Sequence, residues 1–195
     1  MGVLSSASVI LVVPYKPSWP SEFTAIGAEV RAALGDVALA VHHIGSTSVP
    51  GLAAKDVIEV QVTVADLDAP MQQPLERAGF TFHDDIRRDH APPGMALSAK
   101  ELEKRYFQRL ERPVHLHVRT AGRFNQRYAL LCRDFLRAQP LARDAYAEVK
   151  AQLARYFPDN VEAYYDIKDP VFDVLMAGAS VWADYTNWRV PPSDA

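Results

Sequence analysis

The segment from Val57 to Val64 constrains this chain more than any other. Ile58, Val60, Val62 and Val64 alternate with Glu59, Gln61 and Thr63. Successive side chains on a strand point to opposite faces, so the run predicts a strand with one apolar and one polar side. Val114–Val118 repeats the pattern, with Val114, Leu116 and Val118 against His115 and His117. With Arg105–Leu110 as the other arm and Glu111-Arg112-Pro113 as the turn, this second run reads as a hairpin. The sheet so built has a polar face carrying Glu59, Gln61, His115 and His117, and a polar face of this kind can be plain solvent exposure.

Around these strands the periods are helical. Phe23, Ile26, Val30 and Leu34 predict a helix that begins after Trp19-Pro20-Ser21 and ends at Gly35. Val37–His43 reads as a strand, Met71–Ala78 as a short helix, and Phe80–Phe82 as a short strand. Asp84–Ala99 holds Pro92-Pro93-Gly94 and no period, so it reads as a long loop, and Arg87, Arg88 and His90 on it are candidates for a lid. The last third carries three apolar stripes. One runs from Tyr128 to Leu136 and closes at Pro140, and one spans Ala145–Phe157. The third covers Val171–Trp182, with Pro170 in its first turn. Pro191–Ala195 reads as a frayed tail.

The expected class is α/β (α+β): a mixed sheet, helices covering one face, and a helical C-terminal third. At 195 residues it is expected to form one domain, residues 1–195. A net charge of −3 argues against a broad basic surface for duplex nucleic acid, but not against a small phosphate pocket. The lone cysteine, Cys132, sits between Leu131 and Phe135 and reads as a core thiol. The apolar run Ala7–Val13 has no basic residue before it and no cleavage pattern after it, so it reads as a strand rather than a signal peptide. No stretch is long enough for a membrane helix, and the expected location is cytoplasmic.

Chemistry concentrates between His43 and Val62. A strand ends at His43-Ile44-Gly45-Ser46-Thr47, and a loop through Lys55 leads back to the strand that bears Glu59 and Gln61. Gly45 lets the backbone approach a ligand, while Ser46, Thr47 and nearby N–H groups can hold phosphate oxygens. A Gly-Ser turn followed by paired oxygen ligands on a strand is the pattern of nucleotidyltransferase-fold enzymes. In these the turn grips a triphosphate and two carboxylates hold Mg²⁺ against it.

Motifs along nearly the whole length make the chain resemble the GrpB-like (UPF0157-type) family, whose fold is nucleotidyltransferase-like. They are Val13-Pro14-Tyr15 with Trp19-Pro20, His43-Ile44-Gly45-Ser46-Thr47, and Pro50-Gly51-Leu52-Ala53-Ala54-Lys55. Further along come Gly79-Phe80, Arg105-Tyr106-Phe107, His115-Leu116-His117-Val118, Arg133-Asp134-Phe135-Leu136-Arg137, and Tyr146 with Lys150. The resemblance implies the fold, and members of the family are sometimes fused to dephospho-coenzyme A kinase. Two positions depart from the pattern: Glu59 stands where the family usually has Asp, and Gln61 stands where active nucleotidyltransferases carry a second Asp. Gln is neutral and weakens the attraction for Mg²⁺, so a standard two-metal site is not implied.

The first reading is therefore a protein that binds a nucleotide or other phosphorylated small molecule and transfers a nucleotidyl or phosphoryl group. Gly45, Ser46, Thr47, Lys55, Gln61, Arg105 and Arg109 are the ligand- and phosphate-binding candidates. Glu59, His115 and His117 are the catalytic candidates, and the same three could hold a divalent metal, Mg²⁺ or a transition metal such as Zn²⁺ or Mn²⁺. His43 is expected to orient the Gly-Ser turn by hydrogen bonding. Arg133, Asp134 and Arg137 are expected to pair along a helix. Two alternatives stay open: a non-catalytic binding module with a degenerate metal site, and a metal-dependent hydrolase built on His115, His117 and Glu59.

Overall fold

The computed structural model describes residues 9–195. Five strands form one mixed sheet in the order β1-β2-β5-β4-β3. They are β1 (Ala40–Ile44), β2 (Ile58–Val64), β3 (Thr81–Phe82), β4 (Lys104–Arg109) and β5 (Val114–Thr120). β2 and β5 pair in parallel, and the other neighbours are antiparallel. The register sets Ile58, Val60 and Val62 opposite Val114, Leu116 and Val118, and Glu59 and Gln61 opposite His115 and His117. Both alternating runs therefore divide between the two faces as their sequences require.

The apolar face packs on α1 (Trp19–Leu34) and α2 (Gln72–Arg77). Trp19, Phe23, Ile26 and Val30 from α1 and Leu75 from α2 close over the β2 and β5 valines. Burial of each such side chain contributes about 1.5–3 kcal/mol. α1 starts at Trp19, three residues ahead of the expected start, because Pro20 is acceptable in a first turn.

The polar face is not open to water. α4 (Phe124–Ala138), α5 (Pro140–Tyr156) and α6 (Val161–Thr186) fold over it, so Gln61, Thr63, Lys104 and Arg119 are all buried. A short helix, α3 (Ala99–Leu102), leads into β4. A second core, with Val49, Leu52, Leu136, Tyr146 and Met176, joins this helical layer to the turn after β1.

Several expected elements differ. Of the strand expected over Ala7–Val13, residues 7 and 8 lie outside the described residues, and Val13 makes only a single bridge, to Ala54. Residues 35–37 form a 3-10 turn, so β1 begins at Ala40. Pro140 starts α5 as well as ending the stripe before it. α6 begins well before Pro170, capped by the Asn160 side chain, which accepts from the Ala163 N–H at 3.0 Å. Packing on both sides of Pro170, by Tyr164 and by Met176 and Ala179, outweighs the hydrogen bond that the proline forfeits. The C-terminal segment is docked rather than frayed. Asp194 binds the Arg133 guanidinium at 2.6 Å and accepts the His43 backbone N–H at 2.9 Å, while the Ser193 hydroxyl accepts from the Val41 N–H.

Candidate functional site

A cavity of about 320 Å³ lies between the polar face and the helical layer. Its floor is the turn after β1, with Glu59 and the β5 histidines beside it, and its far walls come from α4, α5 and α6.

The turn is held from several sides. Gly45 has φ +69°, and a Cβ there would overlap the Glu59 carboxylate. The residue is thus glycine because a side chain of the protein, rather than a ligand, occupies that space. His43 lies on the apolar face, stacked on the Phe23 ring with centroids 4.7 Å apart, and its Nε2 meets Thr47 Oγ1 at 3.0 Å. The expected orienting bond is there. Burial pushes the His43 imidazole down to about 3, with the Arg137 charge adding to the effect, so the ring is neutral. Thr47 Oγ1 also donates to the Val57 carbonyl and is buried, so the turn itself consumes this hydroxyl. Arg133 and Arg137 do more than pair along α4. Arg133 donates to the His43 carbonyl at 3.0 Å, and Arg137 donates twice to the Ser48 carbonyl.

Ser46 faces the cavity. The Lys150 ammonium group, on α5 and buried, reaches Ser46 Oγ at 2.9 Å and also donates to the Ala53 carbonyl. Burial lowers the Lys150 amine to about 7. Lys55 donates to the Tyr165 hydroxyl at 2.5 Å and lies over the Tyr165 ring. Lys168 pairs with Asp169 at 2.8 Å at the same cavity. Tyr128, Tyr146, Tyr164 and Phe172 give the walls an aromatic surface.

The remaining candidates separate. Gln61 is fully buried: its amide donates to the Gln126 carbonyl and its oxygen accepts from Arg119 at 2.6 Å. Both ends are committed, so Gln61 is a structural bridge rather than a ligand contact. Arg105 and Arg109 alternate with Lys104, Tyr106 and Gln108 along β4 and fall on the α1 side of the sheet. Arg109 pairs with Glu29 of α1 and Arg105 approaches Asp68, so neither reaches the cavity. Arg87 pairs with Asp84 at the surface, and the Arg88 backbone forms an isolated antiparallel bridge with that of Glu103. His90 reaches the cavity rim, where it meets Asp173 of α6 at 3.0 Å.

His115 and His117 share the polar face with Glu59, as the alternation requires. They do not form the expected metal triad. Among the described residues, no three His, Cys, Asp or Glu side chains converge to hold a metal. The cause is where each group turns: Glu59 toward Gly45, and His117 Nδ1 toward Lys104 and Arg119, at 3.4 Å from each. Burial holds the His117 imidazole well below its ordinary value, helped by those two cations, and burial lowers His115 against the pull of Glu59. His117 Nε2 is buried without a partner.

Two residues that organise the site carried no role in the sequence reading. Asp89, on the long loop, accepts from Lys104, from Arg119 through two nitrogens, and from Asn125. Burial alone would raise its carboxyl, but Arg119 and Lys104 hold it well below the usual range. Lys150 stood among the residues of the family pattern, and only the packing of α5 on the turn revealed its partner. Cys132 is buried as expected, its thiol pushed up to about 12 by burial.

Fold and site together define an α+β protein whose mixed sheet and helical layer enclose a small-molecule-sized cavity at a Gly-Ser turn. The chain belongs to the GrpB family: the family model described as GrpB protein matches residues 9–177. It is 35% identical to a UPF0157 protein of Halalkalibacterium halodurans over 88% of this chain and 83% of that one. It is 34% identical to a protein of Mycolicibacterium paratuberculosis named dephospho-CoA kinase, over 92% of this chain and 48% of that protein. The chain thus spans about half the length of the relatives named dephospho-CoA kinase. The crystal structure of conserved protein GrpB from Enterococcus faecalis superposes with a TM-score of 0.73 at 27% identity, covering 88% of this chain and 99% of that one.

Proposed function

We propose that this chain binds a nucleotide or other phosphorylated small molecule in the cavity, with its phosphates at the Ser46 turn. The observation that carries the reading is the division of the cavity. Lys55 and Lys168 supply cationic groups at the cavity and Lys150 reaches the turn's serine, while Tyr128, Tyr146, Tyr164 and Phe172 offer flat apolar walls suited to a base. The Glu59 carboxylate lies against the turn at Gly45. Mg²⁺ is usually held by one or two carboxylates plus substrate phosphates, so Glu59 and the ligand would share the ion. That arrangement supports nucleotidyl or phosphoryl transfer on a nucleotidyltransferase-like fold.

A second reading, a binding module without turnover, is favoured by Gln61. The position of the second carboxylate is neutral and fully consumed by Arg119 and Gln126. Two measurements together test both readings. Thermal shift over ATP, ADP, dephospho-CoA and inorganic phosphate, with and without Mg²⁺, should show a ligand that raises Tm by several degrees. At a hundredfold excess over Kd the stabilisation is about 2.7 kcal/mol. Labelled-nucleotide transfer abolished by Glu59→Ala, with binding retained, selects the transferase. Binding that is indifferent to Mg²⁺, with no transfer, selects the module. If no member of the panel shifts Tm beyond a salt-matched control, the proposal fails.

A further inference from the structure

We infer that Ser46 and Lys150 form a nucleophile–base pair, with Ser46 Oγ able to take up a phosphoryl or acyl group from an ester or anhydride in the cavity. This goes beyond nucleotide binding and does not depend on it.

The geometry is that of an activated hydroxyl. Ser46 stands on the turn at the cavity floor, and Lys150 Nζ lies 2.9 Å from its Oγ. The other polar partner of Lys150 is the Ala53 carbonyl, which can only accept. One N–H is therefore committed to Ala53, and in the neutral amine the lone pair is free to face the Ser46 hydroxyl. Lys150 is only 3% exposed, and among the described residues no carboxylate lies within ion-pair distance of it. A buried ammonium without a close counter-ion is disfavoured, and lysine, unlike arginine, then gives up its proton readily.

The charged groups facing the amine act in both directions. Glu59 from β2 favours the charged form, Lys168 from α6 and Lys55 from the loop before β2 oppose it, and the Cys132 thiol from α4 is kept neutral by its own burial. The Tyr146 ring lies 4.8 Å away on the same helix as Lys150. Burial is the largest effect and brings the amine to about 7, so both forms are populated at neutral pH. In the step itself, Ser46 Oγ bonds to phosphorus or carbonyl carbon as the bond to the leaving group breaks. The hydroxyl proton passes to Lys150 Nζ, and the resulting ammonium can return it to the leaving group.

Diisopropyl fluorophosphate tests the pair without a known substrate. The Oγ–P bond forms, the P–F bond breaks, fluoride leaves, and Lys150 takes the proton. Intact mass and tandem mass spectrometry should find one adduct on Ser46, absent in Ser46→Ala. Its rate should rise with pH to half-maximum near 7, and fall more than tenfold in Lys150→Met and Lys150→Arg. The inference is overturned by no adduct on Ser46, by a pH-independent rate, or by a rate within twofold of wild type in Lys150→Arg. Should Lys150→Met fail to fold, the wild-type pH profile and Lys150→Arg decide. Loss of nucleotide binding leaves these readouts untouched, so failure of the binding proposal and failure of this one are distinguishable.

Discussion

The Glu59 carboxylate fills the space that a side chain at position 45 would occupy, so β2 and the turn after β1 fit only when that residue is glycine. Gly45→Ala therefore meets two penalties: a positive φ and a steric overlap. Together they should cost about 2–4 kcal/mol, by analogy with strained backbone sites. Urea denaturation measures this. The double variant Gly45→Ala/Glu59→Ala should recover the overlap part but not the φ part, and simple additivity would show that the two residues do not touch.

Asp89 gathers Lys104, Arg119 and Asn125 beneath the long loop. Asp89→Asn leaves two buried cations short of their counter-charge and should lose about 3–5 kcal/mol at neutral pH. Because the folded-state carboxyl is held below its unfolded value, its stabilisation is present above about pH 4 and is lost as pH falls further. Between pH 7 and pH 3.5 the gap between variant and wild type in denaturation curves should narrow without closing, because at pH 3.5 the folded carboxyl is still ionised while the unfolded one is already partly protonated. A constant gap would contradict the assignment.

His43 gives the opposite end of the chain of protonation events. Its imidazole is held neutral down to about 3 in the folded protein, against an ordinary value near 6.5. The unfolded chain therefore binds a proton first, and stability declines as pH drops from about 6.5 toward 3. From pH 7.5 to 5.5 this one residue should remove about 1.4 kcal/mol. In His43→Gln that share of the slope should disappear, while a variant with the wild-type slope would count against it.

Asp194 should matter although it lies next to the last residue of the chain described. It binds the nearly inaccessible Arg133 and caps the His43 N–H, so Asp194→Ala should cost about 1–3 kcal/mol. Removal of residues 191–195 should do at least as much. Equilibrium unfolding checks both, and a neutral result would mean that the docked tail contributes nothing to the turn.

Lys55 and Lys168 reach the cavity without sharing the Ser46 contact of Lys150. If phosphates lie at the turn, Lys55→Ala should weaken binding of any nucleotide found in the ligand panel by about tenfold. Charge-assisted contacts to phosphate are worth roughly 1.5–3 kcal/mol each. Isothermal titration in low and high salt is the measurement, and the difference between variant and wild type should narrow as salt screens the interaction.

The alternating runs at Ile58–Val64 and Val114–Val118 determined by themselves that this chain builds a sheet with one apolar and one polar face. Strand alternation is a local rule with a period of two. The same runs determined that Glu59, Gln61, His115 and His117 share a face, and the motif after β1 located the turn. What period cannot say is which element lies on which face. Only the tertiary structure decided that α4, α5 and α6 close over the polar side, turning an exposed surface into a cavity. It also sent Arg105 and Arg109 to the α1 side, although their strand is in place as expected. The pairings Ser46–Lys150, Asp89–Arg119 and Arg133–Asp194 join residues far apart in the chain. Such contacts depend on how whole helices dock, and that is set by the summed packing of both cores rather than by any local pattern. For that reason the Gly-Ser turn was readable from sequence, while the lysine that reaches its serine was not.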